Sequence, residues 1–398
     1  MTRDSFFLLL RFLHFCDNEL VEENCLDVMY KIRPLFSDIV EKFKKYFRPF
    51  QKLVIDESLV LFRGKVGFRQ YIKTKRHRFG LKLFVLCDCE TGVILDHILY
   101  TGKNTDNIHK DQLGISGGVV KKMVEPYLRK GHIMYTDNWY TSPMLCQYLH
   151  ENKIGSCGTV RESRKKMPKF PKKMEKGECV KKKCENILAL KWKDKRPVTL
   201  LTTFHPGTLM DSGKVDRKTK EKIMKPDVVI DYTKNMRLVD KSDMQIGEID
   251  SGRKTVKWYK KLFYHLLDIS LLNSYNYYKL NTGKSVTLRK FSRDIVYEIL
   301  EKYGKINLSR SCRASKLEGA PDRIQEQVYM SRHYLMNLPV TTEGKASKRK
   351  SGQKRCKVCN ETVCKNKKRK VTSYMCAECQ APLCIGDCFR DYHSKVKY

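Results

Sequence analysis

The chain has 398 residues, 41% of them hydrophobic, enough for two or three domains with a real buried core. Eighty lysines and arginines against 44 aspartates and glutamates leave a net charge of +36, a field that draws polyanions by releasing their counterions and makes nucleic acid the expected partner. No run reaches the roughly 18 apolar residues of a membrane span, so no membrane association is expected.

The opening run FFLLLRFLHF is interrupted by Arg11 and His14 and no small-residue cleavage site follows, so it reads as an amphipathic helix rather than a signal peptide. Met1 leads almost at once into core-like sequence, which suggests a truncated product lacking an upstream region. Met29, Ile32, Phe36, Ile39, Phe43 and Phe47 recur at spacings of three and four and predict one helical face, with Pro34 in its first turn or at a kink. From Leu53 the period changes to that of strands. LVIDESLVLFRG is followed by GLKLFVLCDCETGVILDHILYTG, which reads as two runs joined by a Glu90-Thr91-Gly92 turn. A helix around Gly118 to Arg129, a buried strand HIMYTD, a helix around Met144 to Glu151 and the strand-like IGSCGTV complete a mixed α/β layer.

Between Arg161 and Arg196 lysine dominates; apolar pattern returns at VTLLTTFH and lapses again at SGKVDRKTKEK. Residues 161–226 therefore read as a basic insertion within the α/β domain, whose core spans 51–160 and ends at 227–250. Helical segments occupy 1–50 and, rich in aromatics, 251–340. A polar, basic linker at 341–355 precedes a cysteine module at 356–394, and KRKSGQKR within that linker matches a nuclear import signal.

Carboxylates embedded in apolar runs need a partner, a proton or a metal. Asp56 lies within LVIDESL, Asp137 closes HIMYTD, and Asp240 and Asp243 sit three apart in RLVDKSDMQ, on one face if that segment is helical. Carboxylates converging from different elements suit two Mg²⁺ ions, which activate an attacking oxygen and stabilise a leaving one in phosphodiester chemistry. A strand, a later strand and a helix after an insertion give the order found in RNase H-like nucleases and transposases. Singly, each aspartate has an ordinary reading: Asp137 caps a helix or shapes a turn, Asp56 pairs with an arginine, and Asp240 and Asp243 form a solvated face.

Arg63, Lys65, Arg69, Lys73, Lys75 and Arg76 follow Asp56 closely, placed to guide a polyanion toward it or to form a solvated face. Trp258 lies among Arg253, Lys254 and Lys257, a setting for phosphate contact with stacking on an unpaired base; the alternative is an indole packed in the helical core. Cys356, Cys359, Cys364, Cys376, Cys379, Cys384, Cys388 and His393 are eight soft donors, enough for two structural Zn²⁺ ions in a reducing compartment, with the sharing of ligands left open by spacing.

At these residues the chain resembles the piggyBac transposases and their domesticated derivatives. DESLVLFRGKVGFRQYIKTKRHRFGLKLFVLCDCETG is similar to the family's first catalytic block, YTDNWYTS to its second, and NMRLVDKSDMQ with GRKTVKWYKKLFYHLLDISLLNSY to its third. The resemblance implies an RNase H-like catalytic core with an insertion, flanked by helical dimerisation and DNA-binding segments, and a C-terminal zinc module that contacts transposon ends. It implies a nuclear, homodimeric DDD enzyme that cuts double-stranded DNA at transposon ends through hairpins and joins the 3′-OH to TTAA targets. In that enzyme Asp56, Asp137 and Asp240 hold two Mg²⁺ ions and Asp243 supports them. The alternative is a domesticated DNA-binding protein without catalysis. Two departures bear on that choice: Arg237-Leu238 stand where the family has paired glycines, which is expected to shift Asp240, and the family's longer N-terminal region is missing, which is expected to impair dimerisation or end binding.

Overall fold

A computed structural model describes residues 2–19, 27–73, 78–102, 105, 108, 112–215, 220–304, 333–339, 352–361 and 370–395. They fall into two compact units, Met1–Tyr303 and Gly304–Tyr398. Lys75, Arg76, Cys364 and all but the end of the basic linker lie outside the described residues.

The larger unit is built on a nine-stranded mixed sheet. Strand β1 (Lys52–Leu61) pairs antiparallel with β3 (Phe79–Asp88), in register from Leu53 opposite Asp88 to Leu61 opposite Gly80. The short β2 (Gln70–Tyr71) and β4 (Ile94–Leu99) also pair with β3. On the other side of β1 lie β5 (Ile133–Thr136) and then β6 (Gly155–Thr159), both parallel to it. An antiparallel meander joined through its first strand to two parallel strands is the expected RNase H-like arrangement. The predicted turn closes β3 onto β4: Asp88 Oδ2 accepts from the amides of Glu90 and Thr91 and from the Thr91 hydroxyl at 3.2, 2.8 and 2.7 Å. Gly92 stands there at φ +74°, a conformation that favours glycine.

The lysine-rich stretch holds more strand than its composition suggests. β7 (Cys179–Cys184), β8 (Ile187–Lys193) and β9 (Pro197–Thr202) extend the same sheet, with β9 antiparallel to β6. β7 is the edge, and its exposed Lys181, Lys182 and Lys183 suit a strand that must refuse another chain. A separate hairpin, β10 (Leu209–Val215) with β11 (Lys222–Pro226), leads into the helices that return to the sheet.

Alternation sends the two sides of each strand into two cores. Leu53, Ile55, Met134, Phe84 and Leu86 pack with α3 (Gly114–Val124) and α4 (Pro143–Glu151). Val54, Val60 and Tyr135 pack on the opposite face with residues of α5 (Asp227–Met236), α6 (Leu238–Ile249) and α7 (Trp258–Thr282), and with Phe36 and Phe43 of α2 (Arg33–Tyr46). Pro34 falls in the first turn of α2, where a missing N–H costs nothing. Asn273 of α7 bonds both the N–H and the C=O of Ile94, at 2.9 and 2.8 Å, acting as a substitute neighbour for β4. The opening run forms helix α1 (Arg3–Phe12), which has no buried residue; the buried ammonium of Lys260 donates to its last carbonyls, Leu10 O and Arg11 O, at 2.6 and 3.0 Å. No helix among the described residues is long and apolar enough to cross a membrane.

Candidate catalytic and zinc-binding sites

The parallel pairing of β1 and β5 places Ile55 opposite Thr136, so the next residues along, Asp56 and Asp137, leave adjacent strands side by side. Asp137 is both a turn residue and a site candidate. Its Oδ1 accepts from the Trp139 amide at 2.9 Å, and its carbonyl accepts from the Thr141 amide and hydroxyl at 3.0 and 2.7 Å, shaping the corner that leads into α4. Trp139 fixes this strand end by stacking on Phe84, with ring centroids 5.4 Å apart. Burial pushes the Asp137 carboxyl above its ordinary range, and the charge of Glu57 adds to that. The Tyr140 hydroxyl beside these groups is buried and without a hydrogen-bond partner, and burial together with the charges of Asp56, Asp137 and Glu57 drives its pKa well up. A corner where carboxylates crowd and a hydroxyl lacks a partner fits a bound hard cation.

The third element arrives through α6, which packs on β1 and β3. Ser58 donates to Asp243 Oδ1 at 2.6 Å, and Ser58 shares a strand face with Asp56, two residues away. Asp240, three residues before Asp243 and therefore on the same side of the helix, is exposed in the first turn of α6. The expected disturbance from Arg237-Leu238 does not involve strain. Arg237 forms the α5–α6 junction at φ −76°, ψ −1°, a right-handed conformation open to any residue, and Leu238 packs against the core. The four aspartates are thus gathered on one side of the sheet rather than closed around a point: the metal-ligating sets found within 4.8 Å among the described residues are both in the C-terminal unit.

The two basic segments meet. Arg63, Lys65, Arg69 and Lys73 are exposed in the stretch between β1 and β3, and Arg69 bonds back to Arg63 O and Gly64 O at 3.0 and 3.1 Å. Phe68, in the same stretch, lies edge-on to Trp258 at 5.2 Å. Trp258 is half-buried at the first position of α7, packed against the core as well as flanked by exposed Arg253, Lys254 and Lys257.

In the C-terminal unit the donors sort into two tetrads, Cys356, Cys359, Cys384 and Cys388, and His333, Cys376, Cys379 and His393. They interleave along the chain. Cys359 Sγ lies 3.5 Å from Cys388 Sγ, close to the roughly 3.7 Å edge of a tetrahedron with about 2.3 Å Zn–S bonds. Cys379 Sγ is 3.3 Å from His333 Nδ1 and 3.4 Å from His393 Nε2. The other nitrogen of His393, Nδ1, lies 2.7 Å from Phe389 O, which suits the tautomer protonated at Nδ1 with Nε2 as the ligating nitrogen. The donor set suits structural zinc. His333 completes the second tetrad as a donor that spacing does not suggest; it stands 43 residues before Cys376 in no ligand-like rhythm, so only the fold reveals it, while Cys364 lies outside the described residues.

A family profile described as transposase IS4 matches residues 1–275, and one described as a DDE_Tnp_1-like zinc finger matches residues 341–394. The chain is 25% identical over 412 residues to the human protein "PiggyBac transposable element-derived protein 3", covering 99% of this chain and 64% of that protein. It is 26% identical over 333 residues to the human "PiggyBac transposable element-derived protein 2", covering 79% of this chain and 55% of that protein. The chain therefore spans less than two thirds of these curated relatives. Among solved structures, the cryo-EM structure of a piggyBac transposase synaptic complex with hairpin DNA matches at a TM-score of 0.69 and 23% identity, over 96% of this chain and 78% of that one.

Proposed function

For a chain that belongs to the piggyBac family of transposases, we propose metal-dependent DNA cleavage and strand transfer at transposon ends. Asp56, Asp137 and Asp240 hold two Mg²⁺ ions and Asp243 supports them, its carboxylate braced by Ser58. When bound, such an ion pair activates the attacking oxygen and stabilises the leaving one. The residues of this chain orient the reactants. Exposed Arg63, Lys65, Arg69, Lys73, Arg253, Lys254 and Lys257 neutralise phosphates along double-stranded DNA, and Lys75 and Arg76, which lie outside the described residues, add two further positive charges to the sequence of that segment. Trp258 offers the uncovered part of its ring to an unpaired base during hairpin formation. The zinc module grips end DNA, and the working unit is a homodimer in the nucleus that joins 3′-OH ends to TTAA targets.

The observation that carries this reading is the parallel β1–β5 register, which sets Asp56 beside Asp137 on a sheet face that α6 covers. A second reading, a domesticated DNA-binding protein without catalysis, draws on the relatives' description as transposable element-derived proteins. Mg²⁺-dependent cleavage and strand transfer on the element's terminal repeats separates the two, with wild type compared against Asp137→Asn. The variant is expected to fold at least as well, because burial disfavours the charge it removes, and to lose cutting. Binding of the ends by wild type without any cutting would sink the enzyme and leave the second reading.

A further inference from the structure

On the aspartate-bearing face of the sheet, but toward the other end of β1, sits a carboxylate that the proposed chemistry does not use. Asp231 of α5 is half-buried and takes bonds from three separate parts of the sheet. Lys52 Nζ, at the start of β1, donates to Oδ1 at 2.8 Å. The hydroxyl of Tyr135, on β5, donates to Oδ2, and His205 Nε2, just past β9, lies 3.2 Å from the same oxygen. Asn235 of the same helix bonds Oδ1 at 3.0 Å, and Thr202 of β9 holds the far nitrogen of His205 at 2.8 Å. Burial alone would raise the Asp231 pKa, yet the bonds from His205, Lys52 and Tyr135 hold it well below the usual carboxylate range, so it is an anion at neutral pH.

The partners of this carboxylate coincide with the carriers of the candidate metal ligands. Lys52 and Asp56 are on one strand with side chains on one face, about 13 Å apart at the usual strand rise. Tyr135 precedes Asp137 by two residues on β5. Asp231 belongs to the helix that continues through the single junction residue Arg237 into α6 and Asp240. The neighbouring Tyr232 feels the charges of both Asp137 and Asp56, so α5 reaches the aspartate corner as well. We propose that Asp231 is a positioning residue for the metal site: one half-buried anion, bonded from three sides, locks β1, β5 and the α5–α6 pair together, and so sets the spacing of Asp56, Asp137 and Asp240. The inference rests on those three aspartates holding metal. A hub of this kind works because ligand geometry is only as exact as the elements bearing it, and a charge-assisted network fixes their relative placement more tightly than apolar packing does.

The test is Mn²⁺ binding to the zinc-loaded full chain, followed by loss of the free-ion EPR signal, with a melting temperature recorded for each variant. Wild type should bind Mn²⁺ in a manner lost in Asp56→Asn. Asp231→Asn should weaken that binding about tenfold, the lower end of the effect of removing groups that orient metal ligands. Lys52→Met should weaken it too, and the double variant should be no worse than Asp231→Asn, because both act through one contact. Tyr135→Phe, which removes a single hydroxyl, should show a smaller loss in the same direction and serves if Asp231→Asn fails to fold. Unchanged Mn²⁺ affinity in a folded Asp231→Asn or in Tyr135→Phe, whatever the melting temperature, would reduce the network to a stabilising staple and overturn the proposal. Absence of Asp56-dependent Mn²⁺ binding in wild type would instead overturn the metal-site reading itself, and the inference with it.

Discussion

Gly158 on β6 is the tightest test of how the Asp137 corner is built. It sits opposite Thr136 in the parallel pairing, and a Cβ placed on it would lie 2.3 Å from Thr141 Oγ1, 2.5 Å from Thr136 O and 2.8 Å from Thr136 Oγ1. The Thr141 hydroxyl is not free to swing aside, since it donates to Asp137 O at 2.7 Å and lies 2.8 Å from Thr136 Oγ1. The second contact is backbone, so β5 and β6 must part by about 1 Å at the point where Asp137 leaves the sheet. Overpacking of this kind costs about 1–3 kcal/mol, and losing the Thr141 bond adds about 1 kcal/mol. Relief of glycine's unfolded-state entropy returns about 0.5–1 kcal/mol, leaving Gly158→Ala destabilised by about 1–3.5 kcal/mol. Urea denaturation reads that cost, and Mn²⁺ titration of the same variant reads the displacement of Asp137 as weakened binding. The double variant Gly158→Ala/Thr141→Ala should recover part of the stability but not the metal affinity, because the clash with Thr136 O persists. Wild-type stability and wild-type Mn²⁺ affinity in Gly158→Ala would refute the close-approach argument.

His97 is fully buried against the edge of Phe36, with centroids 4.5 Å apart, both ring nitrogens lack partners, and burial holds its pKa down at about 3. A lowered folded pKa means that the unfolded chain takes up the proton first, so stability is intact above pH 6.5 and falls below it; by pH 5 the loss is about 2 kcal/mol, and His97→Leu should flatten that part of an acid denaturation series. For the zinc module, metal analysis of the full chain should give two Zn²⁺, falling by one in Cys356→Ser and by one in His333→Ala, with no loss in Cys364→Ser.

Much of this was legible because local pattern and tertiary role agree. The alternation in LVIDESLVLF and the apolar run before Asp137 announce strands, and the register between them follows from burying both faces. The strands within the basic stretch are not legible in the sequence because composition reports exposure rather than pairing: β7 shows its lysines to solvent while its backbone is bonded to β8. His333 and Asp231 were missed for another reason. Asp231 meets Lys52 and Tyr135 across 179 and 96 residues, and a lone acidic or imidazole side chain carries no periodic signal of such a partner.

The α5–α6 junction carries the last prediction. Paired glycines before the third aspartate would matter if the backbone had to adopt a positive φ, but Arg237 holds φ −76° and the helical bond from Lys241 N to Arg237 O closes at 3.0 Å. Glycine would therefore gain nothing here and would loosen the junction by about 1 kcal/mol per residue in helical conformation. Leu238 is partly buried against the core, so removing its side chain forfeits a further fraction of the 2–5 kcal/mol of a fully buried leucine. Restoring the pair as Arg237→Gly/Leu238→Gly should lower stability by about 2–4 kcal/mol and weaken Mn²⁺ binding, because a looser junction lets Asp240 drift from β1. Tighter metal binding or faster cleavage in that variant would mean that Arg237-Leu238 hold Asp240 away from its working position, and that this chain is a transposase disabled at its third corner.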